Sequence, residues 1–99
     1  MKILVFAKRH ADVSLDQMRP LIKPEIEAVW RLYAQGFVRE FYARADQGGP
    51  VILAVECDTV EAAQRMLADL PMVQRNLLDL DLIPLAPFNN LSQLFQTTG

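Results

Sequence analysis

The chain has 99 residues, 52% of them hydrophobic and 22% charged, which gives room for one core and is too apolar for disorder. Ten basic side chains stand against twelve acidic ones, for a net charge of −2, and apart from Lys8-Arg9 the basic residues are scattered. The continuous basic stripe that a nucleic-acid backbone requires is therefore missing, and nucleic acid is excluded as an expected partner.

Cys57 is the sole cysteine, so an internal disulfide and a Cys-based zinc cluster are both excluded, and the expected setting is the reducing cytoplasm. The apolar run Ile3-Leu4-Val5-Phe6-Ala7 is too short for a signal core or a membrane span, and neither is expected. With its basic end it reads instead as a strand over 2–9 covered on both faces.

From Ser14 to Gln35 the pattern turns helical. Met18, Ile22, Ile26, Val29 and Tyr33 recur every three or four residues, with Trp30 beside them, and this stripe is expected to be buried. Pro20 and Pro24 cannot sit within a regular helix, which predicts a main helix over 24–35 ended by Gly36, preceded by a turn or short helix over 15–22. Residues 37–45 and 50–57 are rich in aromatic and β-branched types around the turn signal Asp46-Gln47-Gly48-Gly49-Pro50 and read as a hairpin. Asp58 and Glu61 have capping-box spacing, and Val60, Ala63, Leu67 and Leu70 share a face, predicting a helix over 58–70 that Pro71 ends. Residues 77–83 alternate as a last strand, with leucines on one face and Asp79 and Asp81 on the other.

Strand, helix, hairpin, helix, strand is the ferredoxin-like βαββαβ order. It predicts an α+β fold, a four-stranded antiparallel sheet with both helices on one face. The other face then carries Leu4 and Phe6 uncovered, and a second copy brought by a two-fold axis is the simplest cover, so a homodimer or higher homo-oligomer is expected. Residues 1–99 form one domain. Its tail, from about 87 to 99, carries Phe88, Leu91, Leu94 and Phe95, and is expected to pack on the partner chain.

The segments Val60-Glu61-Ala62-Ala63, Leu70-Pro71-Met72-Val73 and Asp79-Leu80-Asp81-Leu82, followed by Pro84-Leu85 and Pro87-Phe88, resemble the muconolactone isomerase-like family of the dimeric α/β barrel superfamily. Glu25, Glu27, Gly36, Arg39 and Glu56 occupy comparable places; the loop 10–23 does not match. YciI-like proteins are similar through Glu61-Ala62-Ala63-Gln64 and the closing Pro-Phe, although Glu25 stands where their proposed catalytic histidine lies. The resemblance implies proton transfer on a small organic acid or lactone, without metal or cofactor, by general acid/base catalysis beside an enolate-like intermediate.

Three residues answer that chemistry. His10 can titrate near neutrality and follows the first strand, so it reads as a candidate base or as a solvated loop histidine. Glu56 ends an apolar strand and reads either as a second candidate base or as the cross-strand ion-pair partner of Arg39, which would otherwise hold a carboxylate or oxyanion. Trp30, Tyr33 and Tyr42 are candidates to bind a flat substrate, with core packing the alternative for the first two. Asp79 and Asp81 read as acids that protect an edge strand from unwanted pairing, or as paired carboxylates. Two other functions fit the same pattern: a non-catalytic dimeric module that binds a small ligand or serves assembly, and a cofactor-independent oxygenase-like barrel.

Overall fold

The computed structural model describes residues 1–96. Its strands are β1 (Lys2–Arg9), β2 (Val38–Ala43), β3 (Val51–Glu56) and β4 (Leu78–Pro84), and its helices α1 (Leu15–Met18), α2 (Ile22–Ala34), α3 (Val60–Leu67) and α4 (Pro71–Gln74). The sheet order is β2-β3-β1-β4 with every neighbouring pair antiparallel, so the expected ferredoxin-like α+β fold is the one formed. β2 and β4 are its edges.

Because side chains alternate along a strand, the register assigns every residue to a face. Ile3 and Val5, aligned with Leu53 and Val55 on β3 and with Leu82 on β4, face the helices and meet Ala63, Leu67 and Leu70 in the main core. Leu4, Phe6 and Lys8 face the other way, beside Ile52 and Ala54 on β3 and Asp79, Asp81 and Ile83 on β4. Among the described residues no helix covers that second face.

Several boundaries differ from the sequence reading, each for a local reason. α2 begins at Ile22, two residues before Pro24, because the first four amides of a helix have no intrahelical acceptor and proline sacrifices nothing there. Ahead of it, Ser14 and Gln17 form a reciprocal capping box that starts α1, and a 3-10 turn over Arg19–Leu21 accommodates Pro20. Thr59 caps α3 in place of the expected Asp58: its Oγ1 accepts from the Ala62 amide at 3.0 Å. α3 ends at Leu67, and Pro71 opens α4 as well as closing what precedes it. Gly36 ends α2 as expected, at φ +83°, where a side chain would be strained.

The larger correction concerns α2. The helix buries a stripe formed by Ala28, Val29 and Leu32, with Glu25 half-buried in line with them. Ile22, Ile26, Trp30 and Tyr33, expected to be buried, are instead 41% to 62% exposed. The two stripes lie about 100° apart on the helix, so α2 has two apolar sides and the sheet takes the one with the smaller residues.

Candidate functional site

The sequence candidates divide between the two ends of the sheet. His10 follows β1, where its amide donates to the Leu77 carbonyl at 3.1 Å and so extends the pairing with β4 by one residue. That places the imidazole on the uncovered face, with Nε2 2.7 Å from Asp79 Oδ1. A ring that gives its Nε2 hydrogen to a carboxylate is fixed in orientation and keeps Nδ1 as a lone-pair base. Only 21% of the His10 side chain is exposed, whereas Asp79 is 74% exposed and open to an incoming molecule. Asp79 is therefore the partner of His10, a pairing that the sequence did not reveal, Asp79 having been read as an edge-strand acid or as one of two paired carboxylates.

Around this dyad the face mixes charged side chains with apolar and aromatic ones. Lys8 is directly opposite Asp79 in the β1/β4 register, and the next row of the same face holds Tyr42, Ile52, Phe6 and Asp81 side by side. The two sides of β2 belong to two different surfaces. Tyr42 and Glu40 lie on the uncovered face, where the Tyr42 hydroxyl donates to Glu40 Oε2 at 2.6 Å. That bond and the carboxylate charge hold the phenol above its ordinary pKa. Phe41 points to the helix side, edge-on to Tyr33 at 5.5 Å between ring centres.

Glu56 and Arg39 lie at the opposite end. Glu56 is aligned with Lys2, eight residues before His10 on β1, which separates the two by roughly 25 Å. His10 and Glu56 therefore do not share one site within a chain. Nor do Arg39 and Glu56 form the expected ion pair. The bulge between Val38 and Glu40 re-aims the chain at Arg39, whose Nε donates to the Gly36 carbonyl at 2.6 Å, and Glu56 Oε2 lies 3.4 Å from the Met1 ammonium. Trp30 and Tyr33 stack at 5.3 Å on the outer side of α2, away from the uncovered sheet face and out of the main core.

Between sheet and helices the space is filled by side chains. Two open grooves lie on the helix side: one of about 300 Å³ runs along β4 beside Leu67 and Val73 and reaches Asp79, and one of about 350 Å³ separates Leu32 from Met66 and Leu70. Neither contains His10, Arg39 or Glu56. Among the described residues no group of three or more His, Cys, Asp or Glu is placed to hold a metal ion, and no helix is long and apolar enough to cross a membrane.

Glu25 is the other carboxylate with a distinctive setting. It receives the Met72 amide at 2.9 Å, tying α2 to the start of α4, and burial pushes its pKa above 4.5 despite that hydrogen bond. It thus tethers two helices while standing in the first turn of its own, where a carboxylate complements the helix dipole.

No protein-family model matches the chain, and none of the curated proteins compared with it does. Among solved structures it is similar to 5-chloro-2-hydroxyhydroquinone dehydrochlorinase (TftG) from Burkholderia phenoliruptrix AC1100, in complex with 2,5-dihydroxybenzoquinone. That match has a TM-score of 0.71 and 13% identity over 87% of this chain and 94% of that one. A match to At3g17210 from Arabidopsis thaliana has 18% identity over 89% and 95% of the two chains, with a TM-score of 0.41. The likeness to the dehydrochlorinase, spanning nearly the whole of both chains, establishes the α+β ferredoxin-like fold.

Proposed function

We propose that the chain acts as a pair of copies, a muconolactone isomerase-like member of the dimeric α/β barrel superfamily. In this reading it moves a proton on a small organic acid, lactone or hydroxylated ring in the cytoplasm. The observation that carries the proposal is the 2.7 Å contact between His10 Nε2 and Asp79 Oδ1 on the uncovered sheet face, beside Lys8 and Phe6. Nδ1 of His10 takes a proton from carbon beside a carbonyl, the electron pair moves onto the carbonyl oxygen, and the new imidazolium is stabilised by Asp79. The same imidazolium returns the proton at a second carbon, so the step needs neither metal nor redox partner. Lys8, opposite Asp79, is the cation for the transient enolate oxygen, and Phe6, Ile52 and Tyr42 are the floor for a flat substrate.

Two considerations support this reading. A second sheet laid over the first would bury Leu4, Phe6, Ile52 and Ile83 and exclude water from the dyad, which strengthens its electrostatics. The dehydrochlorinase with the same fold was captured with a flat dihydroxyquinone. Arg39 and Glu56, at the far end of the sheet, carry no step in this scheme.

The test is carbon-bound hydrogen exchange in D₂O with small lactone acids and dihydroxyquinones as probes. Exchange should fall by about 100-fold or more in His10→Asn and by about tenfold or more in Asp79→Asn. Exchange at the full rate in both variants would overturn the assignment. A non-catalytic ligand-binding module is the second reading, favoured by the absence of any buried charged side chain among the described residues; it predicts saturable binding of the same probes with no exchange.

A further inference from the structure

The tail leaves β4 at Leu85, whose amide donates to the Lys2 carbonyl at 2.9 Å, and then projects from the body. The radius of gyration is 16.7 Å, with a longest extent of 64 Å, where a packed chain of this length gives about 13 Å. Residues Asn89–Phe95 nevertheless form a regular 3-10 segment. Phe88, which immediately precedes it, and Leu91, Leu94 and Phe95 on it are 55% to 84% exposed. From Leu85 to Gln96 there is no charged side chain. That composition suits burial against protein and lacks the basic residues that attach a segment to a lipid surface.

Besides the uncovered sheet face, the described residues carry an exposed apolar surface that matches the tail in character and spacing. It is the outer stripe of α2, Ile22, Ile26, Trp30 and Tyr33, continued by Phe41 on β2. In a 3-10 helix, side chains three residues apart share a face and rise by about 6 Å, so Phe88, Leu91 and Leu94 form a row with that repeat. In an α-helix, residues four apart rise by the same distance of about 6 Å, which is the repeat of Ile22, Ile26 and Trp30. The tail cannot conveniently reach this stripe in its own chain, because it departs from the β4 edge, whereas the stripe meets the opposite edge strand, β2, through the Tyr33–Phe41 contact. A two-fold axis parallel to the strands removes the obstacle: with two uncovered faces together, the β4 edge of each copy lies beside the β2 edge of the other.

We infer that the tail of each copy, residues 85–96, is an arm that seats Phe88, Leu91 and Leu94 on the α2 stripe of the second copy. The inference rests on the pairing of two copies put forward above. Each arm brings on the order of 500 Å² of apolar side chain, and two reciprocal arms with their seats reach roughly 2,000 Å², the size of a stable interface even before the sheet faces are counted. The arm accounts for two exposed features at once: the uncharged apolar tail and the second apolar side of α2.

Trp30 is the sole tryptophan, so its fluorescence reports this seat directly. In the full chain its emission is expected to be blue-shifted and shielded from acrylamide. In a chain ending at Leu85, and in the full-length Leu91→Ser/Leu94→Ser variant, it becomes red-shifted and freely quenched, while the dimer dissociation constant rises at least about tenfold. Mixing two Cys57→Ser preparations, one carrying Leu91→Cys and the other Ile26→Cys, should give an oxidised heterodimer joined by disulfide. Equal quenching of Trp30 with and without the arm overturns the seat, and the paired-sheet reading survives that result if light scattering still finds a dimer. A monomeric full chain at micromolar concentration overturns both. A disulfide that closes within one chain in the Leu91→Cys/Ile26→Cys double variant, without joining copies, also overturns the exchange.

Discussion

Asp79 reaches from the edge strand β4 to the imidazole of His10, with its Oδ1 2.7 Å from Nε2. The contact exists because the amide of His10 continues the β1/β4 pairing one step beyond the strand, to Leu77. An exposed carboxylate of this kind adds little to stability, so Asp79→Asn should shift the urea unfolding free energy by less than about 1 kcal/mol. The same substitution should displace the ¹⁵N resonances of His10, the sole histidine. A large loss of stability with unchanged imidazole resonances would show that Asp79 serves the fold and not the ring.

Glu25 predicts a pH dependence. Its carboxyl is held above its ordinary value of 4.5 by burial, so the folded state binds the proton more tightly than the unfolded chain does. On this group's account, stability is greatest below its unfolded pKa and falls as pH rises through the folded value. Glu25→Gln keeps an oxygen for the Met72 amide and removes the half-buried charge, so it should be as stable as the parent or more so at pH 7, with the difference shrinking toward pH 4. Glu25→Ala abandons the amide and should cost about 1 kcal/mol. Urea titrations across pH 4 to 8 on the three proteins would measure both effects.

The start of α3 distinguishes two neighbouring caps. Thr59→Ala should destabilise by about 1 kcal/mol because the Ala62 amide loses its acceptor, while Asp58→Ala should cost no more than a few tenths. Thermal melts of the two variants decide it, and equal losses would return the cap to Asp58.

Leu67 is 1% exposed at the centre of the helix–sheet core, so Leu67→Ala should cost about 2 to 5 kcal/mol whatever the protein concentration. Ile26, 62% exposed in the single chain, gives a contrast. If copies pair as proposed, Ile26→Ala should change the unfolding midpoint at micromolar concentrations and become nearly silent on dilution.

Residue patterning is enough to set the elements, their order and the faces of the sheet. Strand alternation fixes which residues look which way, so the assignment of Asp79 and Asp81 to the side away from the leucines follows from the 77–83 pattern, and the uncovered face carrying Leu4 and Phe6 follows from counting helices. Glycine and proline likewise announce their own positions, as Gly36 does at the end of α2. The tertiary structure alone decided which groups meet. His10 and Asp79 are far apart in sequence and touch through strand register; Arg39 and Glu56 are separated by a bulge and by competing partners. The choice between the two apolar sides of α2 is also a packing decision. The helix lies close to the sheet on Ala28, Val29 and Leu32, which leaves Ile22, Ile26 and Trp30 outside. Periodicity records that a helix has an apolar stripe, but where two stripes exist, the shape of the surface it packs against selects between them.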